Sequence, residues 1–302
     1  MPSFSITFTA FYILIASGVA FGDASFGVGT SGPCQAKETI QTQLNFEQSI
    51  LKENALKDGG QLRFGNIGEV RGNFVDLVVT ASEYEIAYNT PGLNGKFGQV
   101  GLNTKKDQLS SGRGVFKFCL VEPDTNTPVT ADSFQWTVFD LDRRKNSNGK
   151  RGIHEELIMD TSQLSHFFLY PNESESQVKQ SCEDGQPLPC AAGVRTVFEA
   201  TQDGTGADNP SDPNNLTEQQ KQRSIAFTFR DTSCWTFVYD AYCPFELETP
   251  KRYCSWYGGS NFFFAGQQDE LNDKGECITS APTPVPTVSP TAAPTVSPTA
   301  AP

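Results

Sequence analysis

This sequence predicts an all-β chain, a two-layer antiparallel β-sandwich of jelly-roll type with long loops and a disordered Pro/Thr tail, and three observations predict it. Between residues 39 and 250, apolar residues alternate with polar ones or come in short runs bounded by Gly, Pro, Asn and Asp. Aromatic and β-branched side chains fill the runs, with 23 Phe in 302 residues, and these fit a pleated, half-buried surface. No long stretch carries the three-and-four apolar spacing of an amphipathic helix.

The strands follow in order. Ile40, Thr42, Leu44 and Phe46 alternate at the entry. GQLRFGN, NFVDLVVT, GVFKFCLVE, DSFQWTVFDLD, GIHEELIMD, SHFFLYP, GVRTVFEA, RSIAFTFRD and SCWTFVYDAYC then read as strands, for roughly ten in all. Residues 46–56 and 216–222 are the candidates for short helices. Side chains alternate along a strand, so Trp235, Phe237 and Tyr239 share one face and belong to the core. Two sheets packed face to face gather their loops at the ends; a closed barrel is the alternative.

The ends differ from the body. Residues 1–20 form a signal peptide, with an apolar run around Phe8 to Ala16 closed by Ser17, Gly18, Val19 and Ala20, and cleavage after Ala20 ahead of Ala24. The run is short of the ~20 residues that span a bilayer, so the mature chain is expected to have no membrane span. Residues 21–38 follow as a flexible leader, then the sandwich over 39–250 and a Cys- and aromatic-rich flap over 251–278. Residues 279–302 are a stalk in which the octad PTVSPTAA occurs twice, from Pro286 and from Pro294. Its prolines keep the chain extended, and the Thr and Ser between them suit O-linked sugars.

Eight cysteines, an even count in an exported chain, point to disulfides. Cys182 and Cys190 enclose the turn-rich EDGQPLP and are the expected local bridge. No C-x-x-C spacing favours a metal instead. Asn172-Glu-Ser174 and Asn215-Leu-Thr217 are sequons for N-linked sugar. A net charge of −12 argues against nucleic acid, whose phosphates need clustered Lys and Arg.

The stretch LRFGNIGEVRGNFVDLVVTA, followed by SFQWTVFDLDRR and a returning HEELIMD strand, resembles a largely uncharacterised class of secreted β-sandwich modules in bacterial and algal surface proteins. The overlap covers about residues 46–245. The turn and strand-end positions of that class fall here on Asn66-Ile67-Gly68, Val75-Asp76 and Phe139-Asp140-Leu141-Asp142. The Pro-Thr tail and the added cysteines are similar to algal, diatom-like versions. The resemblance implies a sandwich fold and a secreted or surface location, and it transfers no catalytic residue.

Several constellations carry chemistry. Asp140 and Asp142 stand two apart at a strand end, and the next strand brings Glu155 and Glu156. Two to four carboxylates converging at one loop end would suit Ca²⁺, which takes six to eight oxygens at roughly 2.3 to 2.6 Å. The alternative is hydrogen bonding to turns and pairing with Arg143, Arg144 and the other bases of the 143–151 run. That run, with Arg143 and Arg144 at its start, would engage acidic polysaccharide from a hairpin tip, or would balance an acidic surface as a solvated loop. Trp256 and Tyr257 form a platform for a sugar ring, or fold back as part of the flap.

Catalytic templates fail. Residues 27–32 fit G-x-G-x-x-G without a preceding strand, no G-x-S-x-G occurs, and His154-Glu155-Glu156 lacks the second His of a zinc protease. The expected function is a secreted or surface protein with a binding or structural role in extracellular matrix or cell wall, its partner a glycan or matrix component, with calcium as a possible aid. A carbohydrate-active enzyme of jelly-roll type is the alternative.

Overall fold

The structure, a computed structural model, describes residues 40–82, 92–102, 112–145, 151–242, 260–266, 271–272 and 276–279. The expected signal peptide and leader, nearly all of the stalk, and Trp256 and Tyr257 lie outside them.

The strands in chain order are β1 (Ile50–Asn54), β2 (Gln61–Val70), β3 (Asn73–Ser82), β4 (Gly92–Asn94), β5 (Phe97–Leu102) and β6 (Gly112–Val121). Then come β7 (Ala131–Phe139), β8 (Arg143–Lys145), β9 (Arg151–Met159), β10 (Leu164–Leu169), β11 (Val178–Cys182) and β12 (Thr196–Ala200). The last are β13 (Asp203–Gly204), β14 (Ile225–Thr232), β15 (Cys234–Tyr242), β16 (Ser260–Ala265) and β17 (Glu276–Thr279), with one short helix, α1 (Glu218–Gln222), before β14. A ten-stranded sheet runs β1, β2, β3, β6, β15, β9, β12, β11, with β8 and β13 attached beside β9. A seven-stranded sheet runs β17, β10, β14, β7, β16, β5, β4. Nearly every pairing is antiparallel, so the chain is the predicted sandwich.

Alternation decides what lies between the sheets. Phe116 and Phe118 on β6 and Trp235, Phe237 and Tyr239 on β15 are buried, and so are Trp136 on β7 and Phe264 on β16. Phe118 stacks on Trp235 and Phe237 within its own sheet and meets the Phe264 ring edge-on, with centroids 5.2 Å apart, across the core. Phe46 reaches Phe64 of one sheet and Phe264 of the other, both edge-to-face. Such pairs add about 0.5 to 1.5 kcal/mol each beyond their buried area. Cys119 on β6 and Cys234 on β15 stand directly opposite and are joined by a disulfide.

Two expectations need correction. Residues 46–56 are not helical: Ile50–Asn54 pairs with β2, and only Leu56–Asp58 makes a 3-10 turn, ended by Gly59 at φ 78°. A strand partner supplies the hydrogen bonds that a short isolated helix would lack. The segment 251–278 is not merely a flap, because β16 lies between β7 and β5 inside the seven-stranded sheet and its Phe262, Phe263 and Phe264 are core residues. Residues 216–222 do contain a helix, started by a capping box between Thr217 and Gln220. Among the described residues no helix is long and apolar enough to cross a membrane.

Candidate functional site

β7 stops at Phe139 because Asp140 turns to φ 63°, a left-handed conformation that Asp tolerates better than most residues. The chain then passes through buried Leu141 and Asp142 toward β8. Arg223, 2 % exposed, anchors this corner. Its Nη1 lies 3.5 Å from Asp142 Oδ2 and 2.5 Å from Asp208 Oδ2, while Nε donates to Gln177 Oε1 and Nη2 to the Asp203 carbonyl. A Cβ at Gly204 would overlap Asp142 Oδ2 and crowd Arg223, so glycine is required where β13 passes the pair.

Glu155 and Glu156 are neighbours on β9, and neighbours on a strand point to opposite faces. Glu155 points inward. Ser260 Oγ donates to its Oε1, Tyr239 donates to Ser260 at 3.4 Å, and the Asp142 amide donates to Oε2 at 3.3 Å. Burial first, then mutual repulsion with Asp142 and Asp208, pushes Asp140 up to about 8 against the countering charges of Arg223 and Arg144. Burial likewise lifts Asp142 to about 7 and holds Glu155 well above the usual carboxylate range. Three of the four named carboxylates, Asp140, Asp142 and Glu155, therefore share this corner, and Glu156 faces away from them. Among the described residues no three acidic, His or Cys side chains meet in a geometry that could hold a metal ion.

These raised values set a pH dependence. The folded chain binds these protons more tightly than the unfolded one, so their stabilisation is full below a pH of ~4 and is lost as pH rises through about 7 to 8. His166, pushed down to about 4 by burial, acts in the opposite sense: its contribution is full above a pH of ~6.5 and is lost on acidification. Between about pH 6.5 and 8.5 the carboxyls thus act without His166. The unfolding midpoint is expected to fall by about 5 °C across that window, on a scale of ~2 to 4 °C per kcal/mol. Asp140→Asn, which keeps a side chain suited to the left-handed backbone, should remove much of the fall. A wild-type midpoint that stays level would show that the cluster holds no protons.

On the other face, a row of charged side chains crosses the ten-stranded sheet. The register aligns Arg113, Asp240, Glu156, Glu199 and Lys179 on β6, β15, β9, β12 and β11, with Tyr242, His154 and Arg143 one step along. Arg113 Nη1 pairs with Asp240 at 3.3 Å. Glu199 Oε1 accepts from the Tyr242 hydroxyl at 3.2 Å and pairs with Arg143 Nη2 at 3.1 Å, and His154 Nδ1 lies 3.4 Å away without hydrogen-bond geometry. His154, Arg143 and Tyr242 together outweigh burial and hold Glu199 below the usual range. Glu156, between Asp240 and Glu199, is pushed up to about 7 by burial and by those two charges. It has no hydrogen bond or ion pair with a described residue.

The remaining expected positions are placed as follows. Arg143 is not presented at a loop tip: its side chain is 14 % exposed, and Nε donates to the Ala200 carbonyl while Nη2 meets Glu199. Arg144 is half-buried and close enough to oppose the inner carboxyls. A disulfide joins Cys182 and Cys190, and every described cysteine is disulfide-bonded. Asn172 lies in a turn where its Oδ1 accepts from the Ser174 and Glu175 amides, and Asn215 is exposed in a loop. The outer row escaped sequence reasoning. Its signal is the outward half of each alternation, Tyr242 and Asp240, His154 and Glu156, Glu199, but nothing in the sequence says that these strands are neighbours.

A separate charged cluster supports the far side of the same sheet. Asp76, fully buried, accepts from Arg63 at 2.9 Å, Lys52 at 3.1 Å and the Asn66 and Asp124 amides. Burial pushes its carboxyl up, but these hydrogen bonds outweigh it and leave it below the usual range. Around Lys52, Arg63, Asp124 and Asn126 lies a concavity of about 340 Å³.

No protein-family model and no curated protein matches the chain. Among solved structures, the N-terminal domain of the Streptococcus gordonii adhesin Sgo0707 superposes with a TM-score of 0.39 at 11 % identity, covering 73 % of this chain and 51 % of that one. The chain thus spans about half the length of that structure. A superposition this loose says nothing of ligand or activity.

Proposed function

We propose that this chain is a secreted or surface β-sandwich that binds an extracellular glycan or matrix component, or takes a structural part in a matrix or wall. The observation that carries the reading is the outer row, where guanidinium donors, carboxylate acceptors, a phenol and an imidazole cross neighbouring strands of one rigid sheet. Hydroxyl-rich ligands need closely set donors and acceptors of this kind. Side-chain exposure of 37 % at Arg113 and 33 % at Glu199 leaves the row within reach of solvent. The disulfides support export, since such bonds persist in oxidising compartments. N-linked sugar at Asn172 and Asn215 belongs to the same proposal.

The test is retention of the full chain on arrayed glycans and matrix polysaccharides, with and without millimolar Ca²⁺. Retention is expected, and Arg113→Ala combined with Glu199→Ala should weaken it by about tenfold or more, the scale of lost charge-assisted hydrogen bonds. No retention on any glycan or matrix preparation would sink the binding reading. Ca²⁺ assistance predicts tighter retention and a higher unfolding midpoint with the ion; no change in either removes calcium from the proposal. The alternative, a carbohydrate-active enzyme of jelly-roll type, draws on the same row, where Glu156 and Glu199 are register partners on adjacent strands.

A further inference from the structure

We infer that the concavity beside Asp76, at the β1 edge of the ten-stranded sheet, is a binding pocket for one neutral sugar residue held by its hydroxyls. It lies apart from the outer row. Arg113 is near the start of β6, whereas the turn carrying Asp124 and Asn126 follows its last residue, Val121, ~25 Å along the strand. No residue belongs to both, so the pocket stands whether or not the outer row binds glycan.

Irregular backbone builds the pocket. Neighbours on a regular strand point to opposite faces, but the pairing of β1 with β2 slips between Leu51 and Glu53, and Lys52 and Glu53 both line the concavity. A Cβ at Gly65 would overlap the Lys52 stem, so glycine on β2 lets Lys52 reach Asp76 at 3.1 Å and Asp124 at 2.9 Å. Asp124 itself sits at φ 59° in the turn that the Glu122 amide closes on the Thr127 carbonyl. From that turn the Thr125 carbonyl and Asn126 Oδ1 accept from Arg63 Nη2. Bulges and left-handed residues other than glycine gather at functional sites, where they re-aim side chains.

The lining side chains are fixed through one polar atom and free at another. Glu53 Oε2 accepts from Gln61 Nε2 at 2.6 Å, which leaves Glu53 Oε1 and Gln61 Oε1 without a partner among the described residues. Asp124 Oδ1 accepts from Lys52 and Asn126 Oδ1 from Arg63, which leaves Asp124 Oδ2 and the Asn126 Nδ2 amide free in the same way. Arg63, 6 % exposed, is held in turn by Asp76 at 2.9 Å, so its grip on Asn126 is rigid.

These free atoms select the ligand. Three acceptors beside one donating amide suit hydroxyls, which donate and accept at once. An anion is disfavoured, because Asp76 and Asp124 match the charges of Lys52 and Arg63 and Glu53 remains in excess. The volume, about 340 Å³, is at the small end of ligand sites, which run from ~300 to 1,000 Å³, and fits a single ring.

The experiment titrates the full, oxidised chain with neutral methyl glycopyranosides and with the matching uronic acid glycosides, following heat and the unfolding midpoint. At least one neutral glycoside should bind and raise the midpoint. Asn126→Ala and Glu53→Gln, at exposed and half-buried positions, should each fold and weaken binding by about tenfold, the scale of a lost charge-assisted hydrogen bond. Arg113→Ala with Glu199→Ala should leave the titration unchanged. Uronic acid glycosides bound as tightly as neutral ones would overturn the ligand class, and undiminished binding by both folded pocket variants would overturn the placement. Absence of binding by every neutral glycoside at millimolar concentration would overturn the pocket itself. Glycoside binding without retention on arrayed glycans would keep the pocket and tell against the outer row; retention that depends on Arg113 and Glu199, without glycoside binding, would do the reverse.

Discussion

Asp76→Ala is expected to lower stability by about 3 to 5 kcal/mol, the usual consequence of removing one partner from a buried ion pair. Arg63 is 6 % exposed and would keep its charge in the sheet interior with, among the described residues, only the Thr125 carbonyl and Asn126 as partners. Lys52, whose side chain is 26 % exposed, can turn to water. The amides of Asn66 and Asp124 would also lose an acceptor. Asn66 sits at φ 56° where the pairing of β2 with β3 slips between Phe64 and Gly68, so the bulge should loosen with the ion pair. Asp76→Asn retains an acceptor for the amides and should lose less. Urea unfolding reads the result as a lower midpoint at an unchanged slope. A loss under about 1 kcal/mol would mean that the pair contributes no more than an exposed one.

Removing the Cys119–Cys234 disulfide is the second large effect. Its partners are 115 residues apart, whereas Cys182 and Cys190 are separated by 8. In the chain-entropy account, the long closure restricts the unfolded chain by about 5 kcal/mol and the short one by about 2.5 kcal/mol. Paired Cys→Ala variants compared by unfolding midpoint should preserve that order. Equal losses would show that loop closure is not how these bonds act. The long bridge lies between β6 and β15, the strands that carry Arg113 and Asp240, so its loss should also loosen the outer row and weaken any retention of glycan.

Both effects concern residues whose identity the sequence displays and whose partners it conceals. Asp76 is visible as part of the Val75-Asp76 motif, yet Arg63, Lys52 and Asp124 become its partners only when β1, β2 and the turn after β6 come together. Cys182 and Cys190 are close enough along the chain to be paired on sight, whereas Cys119 has no local partner. The Asp140, Asp142 and Glu155 corner was legible as carboxylates at adjoining strand ends. What was not legible is that Asp140 reverses the backbone and that Arg223, from beyond α1, enters as their counter-charge.

Periodicity alone determined the class of the molecule: side chains alternate along an extended chain, so the choice of inward residue at Trp235, Phe237 and Tyr239 is local and readable. The same rule already separates Glu155 from Glu156. Which strands lie side by side is not local, because backbone ladders accept nearly any sequence and the partner is selected by how whole faces pack. Tertiary structure therefore decided that β9 lies between β15 and β12, that β16 enters the seven-stranded sheet, and that Asp240, Glu156 and Glu199 form one row.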